Sequence, residues 1–363
     1  MRRGAVCGAD DQGVWALPAR PSEMTGRPIR VAVDAMGADR GPDEIVAGAI
    51  AAASDEIELL IVGPRGLETH GLELVEASDV IAMEDKPTEA VRSKPNSSLV
   101  VACRLVGEGR ADAVVSPGNT GAMLAASLFN IKRLRGVLRP AIAVVIPARD
   151  EPSVLIDAGA NADARPEHLV QFAEMGLVLS EEVLGVATPQ VQLLTIGEES
   201  EKGSELALEA HRMLRETCRS FNGNTEGRDL LGVGGRVVVA DGFTGNVTLK
   251  VVEGTIKTIL DALRDEISAT ARGKLGGLLI RPAARRLRTR LDPDTYGGAY
   301  LLGLRGLVVI AHGGSSGRAI ANAVRLAARG VEHDVVGRLA ERLGGEKTVL
   351  ESATSTTPTP QTR

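Results

Sequence analysis

The chain has 363 residues, 44% of them hydrophobic and 25% charged, with a formal net charge of −5. Such a length and mix suit one large or two medium soluble domains with a full core, and the acidic balance gives no bulk electrostatic case for a nucleic-acid partner, so any anion site must be local. Three cysteines, Cys7, Cys103 and Cys218, stand far apart without a C-x-x-C pair, which fits a reducing compartment and argues against a disulfide framework or a zinc site.

Residues 1–28 contain no apolar core long enough for a signal peptide and read as a disordered leader. The leader holds the only Trp, and Met24, just ahead of the first strand, is a candidate translation start. From there one design repeats. IRVAVDAMGADRGPDEIVAGAI is a strand, a loop carrying Asp34, Gly37, Asp39 and Gly41, and a helix begun by Pro42. In RSKPNSSLVVACRLV, Arg92 and Lys94 precede Ser97, read as an N-cap, and Cys103 belongs to the core face of the helix that follows. ADAVVSPGNTGAMLAASLF gives a strand, the loop Ser116 to Gly121, and a helix. SVLIDAGANADARPEHLVQFA gives a strand, the loop Asp157 to Arg165, and a helix with Pro166 in its first turn. VQLLTIGEESEKGSEL is a strand followed by a loop with Lys202 beside Gly203. In VVVADGFTGNVTLK, Val237 to Ala240 form a buried strand, Asp241 to Asn246 are turn and cap residues, and a helical pattern starts at Val247. GLVVIAHGGSSGRAIANAV closes the series with a strand, His312 to Gly317, and a helix.

Five of these are strand–polar loop–helix units. The expected fold is α/β, a Rossmann-like three-layer α/β/α with a mostly parallel sheet, and that connectivity places all five loops on its carboxyl edge. A Gly-rich turn leaving a strand and opening a helix aims free backbone N–H groups at a ligand and favours an anion. No loop matches a Walker A or G-x-G-x-x-G pattern, and no metal-ligand cluster is spaced along the chain, so neither cofactor nor metal is expected. Gly313, Ser315 and Gly317 match G-x-S-x-G, the nucleophile elbow of serine hydrolases. Its only downstream histidine is His333, and too little chain remains for the rest of that fold.

After the Asp241 loop, VTLKVVEGTIKTILDALRDEIS has helical apolar spacing, and Ala269 to Leu291 carry seven Lys/Arg and no acid. Residues 247–291 are expected to form a protruding helical elbow. Leu275, Leu278, Leu279 and Ile280 sit among Arg281, Arg285, Arg286 and Arg288, at a presumed hairpin tip. A dimer interface, docking of an acidic carrier protein, and peripheral contact with anionic lipid all fit, the last being favoured for its clustered apolar residues. The end, ESATSTTPTPQTR, is Ser/Thr/Pro-rich, and residues 346–363 read as a disordered tail.

Together VAVDAMGADRGPDEIV, SPGNTGA, LIDAGANAD, IGEESEKG, DGFTGNVTLK and YGGAYLLGLRGLVVIAHGGSSGRAI resemble the signatures of the bacterial acyl-ACP:phosphate acyltransferase family, in order and spacing over roughly residues 29–340. The resemblance implies one domain, residues 29–345, related in fold to phosphate acetyltransferases and isocitrate-type dehydrogenases, and a homodimer. It implies transfer of a long-chain acyl group from acyl-ACP to inorganic phosphate, giving acyl phosphate and free ACP for phospholipid synthesis. A cytoplasmic protein at the inner face of the membrane follows, working beside a membrane glycerol-3-phosphate acyltransferase and with no nucleic acid. The loop His312-Gly313-Gly314-Ser315 has one Gly more than the family pattern, which leaves the role of Ser315 open.

Phosphate is itself the nucleophile and a thiol leaves readily, so the protein need only hold phosphate beside the carbonyl and stabilise the oxyanion. Asn246, as an amide donor or a plain N-cap, and Lys202, as a dianion holder or a solvated charge, are the catalytic candidates. Ser116, Gly118, Asn119, Thr120, Gly121, Asp157, Asn161, Gly242, Thr244, Gly245 and Gly313 are substrate-binding candidates. Asp34, Asp39 and Asp241 would repel phosphate and are expected to orient donors or loops. His312 is an acid–base group or a structural histidine. Arg92 and Lys94 meet the phosphopantetheine or ACP, or are simply solvated. Two other readings use the same pocket or pattern: a nonenzymatic acyl-ligand carrier, and a nucleotide-dependent dehydrogenase.

Overall fold

The computed structural model describes residues 27–344, apart from the side chain of Pro293. Residues 1–26 of the leader reading and the whole tail reading, with Cys7, Trp15 and Met24, lie outside those described, while Arg27 is held to Asp112 at 2.7 Å. In chain order the first half runs β1 (Ile29–Asp34), α1 (Pro42–Ala52), β2 (Ile57–Gly63), β3 (Glu73–Glu76), α2 (Pro87–Ser93), α3 (Ser98–Gly107), β4 (Ala113–Ser116) and α4 (Thr120–Asn130). A hairpin follows, β5 (Ala141–Ile146) and β6 (Ser153–Ile156), then α5 (Pro166–Val178), β7 (Gln190–Leu194), α6 (Glu205–Thr217), β8 (Phe221–Thr225) and β9 (Arg236–Val239). Two long helices, α7 (Gly242–Ser268) and α8 (Ala271–Leu291), precede β10 (Ala299–Leu302), β11 (Leu307–Ile310), α9 (Gly317–Glu332) and α10 (Val335–Gly344). Pro42 and Pro166 open their helices as expected, where a missing N–H costs nothing. Ser97 holds the N-cap position of α3 without a side-chain cap bond, and Cys103 is fully buried.

The eleven strands among the described residues form one sheet in the order β3-β2-β1-β4-β11-β10-β5-β6-β9-β7-β8. Seven of its ten pairings are parallel, as the strand–loop–helix units require. The other three are antiparallel and sit together at the centre: β11 with β10, β10 with β5, and β5 with β6. Consequently β1, β4, β11 and β5 run one way, and β6, β9, β7 and β8 run the other. This corrects the expectation of five loops on one edge. Loops after β1, β4 and β11 leave one edge; those after β6 and β9 leave the opposite one. The cause is the β5–β6 hairpin, whose six-residue turn reverses the chain without the crossover helix that keeps strands parallel.

Helices cover both faces, completing three layers. Val31 and Val33 point into one core with α1, α5 and α9, while Ala32 points into the other with α3 and α4, as a two-residue period dictates. Leu249 and Val252 of α7 pack on Ile146, Leu155 and Val238 over the second half of the sheet. Beyond that contact α7 and α8 project as the expected hairpin. Ala269 and Thr270 form its turn, and α8 has no buried residue among those described. No helix among the described residues is long and apolar enough to cross a membrane.

Candidate active site

A cavity of about 660 Å³ lies across the antiparallel seam. Ile142 and Val144 of β5, Ala299 of β10 and Ile310 of β11 line it from the sheet; the register sets Ala299 beside both Val144 and Ile310. From α4 come Thr120, Gly121 and Leu124. From α7 come Asn246, Leu249, Lys250, Glu253 and Ile256, spaced at three and four residues and so on one helix face. Ala158, Gly159 and Ala160 contribute from one sheet edge, and Asp39, His312, Gly313 and Ser315 from the other. Loops from opposed edges thus meet in one site, because the site spans the seam between the two halves.

The loops of the first half are bound to one another. Ser116 Oγ donates to Asp34 Oδ2 at 2.7 Å, and its own lone pair takes Gly118 N–H at 3.1 Å. Met36 N–H reaches Asp34 Oδ1 at 3.1 Å. Burial pushes the Asp34 carboxyl above its ordinary range, against the pull of hydrogen bonds from Ser98, Ser116 and Met36. A Cβ on Gly37 would lie 2.7 Å from the Gly118 backbone, so only glycine permits this approach. Asp39 N–H donates to Gly313 O at 2.9 Å, joining the first loop to the last. Asp34 and Ser116 therefore organise the cavity from behind, while Asp39, Gly118 and Gly313 line it.

Asp157 plays the same part in the second half. It is fully buried and accepts N–H bonds from Ile142, Gly159, Ala160 and Asn161 at 2.7–3.1 Å, with a further bond from Asn161 Nδ2 at 2.8 Å. Asn161 Nδ2 also reaches Pro140 O at 2.8 Å, so its amide is taken up by the loop. Against this loop stands the start of α7, and here the sequence reading needs correction. The helix begins at Gly242, not Val247, and its N-cap is Asp241, which accepts Thr244 N–H at 2.9 Å and Thr244 Oγ1–H at 2.6 Å. Gly242 N–H goes to Asn161 O and Gly245 N–H to Asp241 O, both at 2.8 Å. The expected cradle of free N–H groups is largely used within the fold. Gly242 and Gly245 serve close packing instead: a Cβ would come within 2.7 Å of the Asn161 backbone and 1.9 Å of Asp157 O, respectively. Asn246 is consequently no cap. It lies in the second turn of α7, with its side chain against Gly159 and in the cavity wall.

Of the remaining candidates, Asn119 is the N-cap of α4, accepting Ala122 N–H at 3.0 Å, and its Nδ2 donates to Met83 O at 2.8 Å. It is not in the lining, and neither are Asn161, Asp241, Thr244 and Lys202. Lys202 stands exposed on the loop after β7, at the sheet edge from which α7 also leaves. His312 Nδ1 accepts Gly314 N–H at 3.1 Å, so the neutral ring carries its proton on Nε2. Ser315 and His333 flank α9, whose sixteen residues span about 24 Å, too far for a serine–histidine pair. Lys250, Glu253 and Asp294 line the cavity without having been singled out from the sequence. Helical spacing from Asn246 would have found the first two. Arg281, Arg285, Arg286 and Arg288 line a separate groove of about 680 Å³ with Leu278, Asp292 and Arg318.

A family model described as "Fatty acid synthesis protein" matches residues 29–338. The phosphate acyltransferase of Heliobacterium modesticaldum is 46% identical over 330 residues, 88% of this chain and 98% of that protein. Its counterpart in Bacillus licheniformis is 43% identical over 324 residues, 87% and 98% of the two chains. Among solved structures, a branched-chain phosphotransacylase from Enterococcus faecalis V583 shares the fold at a TM-score of 0.55 and 16% identity, covering 84% of this chain and 99% of that one. The EutD phosphotransacetylase from Staphylococcus aureus does so at 0.53 and 16%, covering 84% and 94%. These relatives set aside the carrier and dehydrogenase readings. The chain belongs to the fatty acid synthesis protein family and is an acyltransferase of its phosphate acyltransferase kind.

Proposed function

We propose that the protein transfers a long-chain acyl group from acyl-ACP to inorganic phosphate. The observation that carries this is a single cavity that joins an apolar floor of Ile142, Val144 and Ile310 to an amide, an ammonium and an imidazole at Asn246, Lys250 and His312. An acyl chain and a charged reacting centre need that combination. A hydrogen phosphate oxygen attacks the thioester carbon, the C–O bond forms, the carbonyl oxygen becomes an oxyanion, and collapse breaks the C–S bond, the proton given up by the phosphate passing to the departing carrier sulfur to leave it a thiol. Asn246 is assigned the oxyanion. Thr120 and the Gly118, Gly121 and Gly313 backbones border the phosphate and thioester. Lys202 is assigned a second cationic contact, from the loop that leaves β7 beside the start of α7.

The exposed elbow supports peripheral contact with an anionic membrane, where a glycerol-3-phosphate acyltransferase would take up the product, and a homodimer fits the apolar faces of α7 left open. Leu275, Leu278, Leu279 and Ile280 are 49–77% exposed, beside Arg281 and Arg285. They begin at the fifth residue of α8, just past the hairpin turn. Mass spectrometry of the reaction with palmitoyl-ACP and phosphate tests the activity: an acyl phosphate is expected, and free fatty acid alone would contradict it.

A further inference from the structure

We infer that Lys250 is the phosphate-holding residue of this site, an assignment that rests on the acyl transfer proposed above. Among the described residues lining the cavity, Lys250 is the one Lys or Arg, set against the carboxylates of Asp39, Glu253 and Asp294. A phosphate anion entering there is repelled at three points and attracted at one, so its place is beside the Lys250 ammonium. Lys250 Nζ donates to Glu253 Oε2 at 2.9 Å. That bond takes one of three N–H donors and steers the side chain, leaving two for phosphate oxygens. Side-chain exposures of 53% for Lys250 and 29% for Glu253 leave the ammonium open to an incoming solute.

The position also suits the chemistry. Lys250 follows Asn246 by four residues on α7, so their Cβ atoms are about 6 Å apart on one helix face. Phosphate at Lys250 and the carbonyl oxygen at Asn246 put nucleophile and electrophile side by side. Lys250 thus holds the nucleophile, Asn246 the developing charge, and Glu253 positions Lys250.

Steady-state rates with phosphate and acyl-ACP varied separately, together with the phosphate-induced rise in melting temperature, test this. In Lys250→Ala the phosphate KM should rise about 10- to 100-fold. The acyl-ACP KM should stay within about twofold, and the thermal response to inorganic phosphate should vanish. Lys250→Arg should keep most of both. A Lys250→Ala protein with wild-type phosphate KM and thermal response would overturn the assignment and leave the acyl-transfer reading standing. If the wild type forms no acyl phosphate, yet its phosphate response is lost in Lys250→Ala, the reaction reading falls and the anion site stands.

Discussion

Asn246 shows how a residue can be singled out from sequence with the wrong local structure attached to it. Gly-Phe-Thr-Gly reads as a turn because glycine costs about 1 kcal/mol inside a helix. The packing of α7 on the Asp157–Asn161 loop offsets that cost, and such a contact is invisible in a local window. Replacing Asn246 by Ala should lower kcat by roughly 10²–10³-fold with the fold intact, as for loss of an oxyanion donor; unchanged turnover would reduce it to a wall residue. Gly245→Ala should destabilise the chain by about 1–3 kcal/mol in urea unfolding, since its Cβ would meet Asp157 O. A variant as stable as the parent would mean that the loop yields freely. Lys202→Ala should raise the phosphate requirement less than Lys250→Ala does, because Lys202 stands outside the cavity lining; the ranking of the two phosphate KM values decides. The glutamates around Lys202 and its place after a strand made it conspicuous, whereas Lys250 looked like one more charge on a helix.

Among elements, the hairpin was legible and the seam was not. Seven basic residues without an acid, set among leucines, marked residues 269–291 as an exposed amphipathic stretch, and α8 has that form. Each Lys or Arg near an anionic surface contributes about 1 kcal/mol, screened by salt. Buried apolar area adds about 25 cal/mol per Å². Pelleting with anionic vesicles at low salt should therefore be strong, and with zwitterionic vesicles weak. Changing Leu278 and Leu279 together to Asp should abolish pelleting and leave acyl transfer in solution unaltered. Continued pelleting, or a change of oligomeric state instead, would make this face a protein interface. The β5–β6 hairpin escaped notice because its strands read as apolar runs of either direction, and only pairing partners fix their sense.

For the molecule as a whole, the reversal of the sheet at its centre explains why one cavity draws on loops from both edges. The three layers were readable from five strand–loop–helix units and the family from six sequence blocks; the meeting of Asn246 with His312 and Asp39 was not, since it depends on the sense of β5 and β10. Direct attack by phosphate, as proposed, calls for no added metal or NAD(P), so turnover should survive chelation; loss restored by a divalent ion would contradict that. The most direct test is release of ACP thiol from palmitoyl-ACP as inorganic phosphate is varied. Thiol should appear only with phosphate, saturate with its concentration, and match acyl phosphate formed one to one. Release at the same rate without phosphate would make the protein a thioesterase and contradict the account.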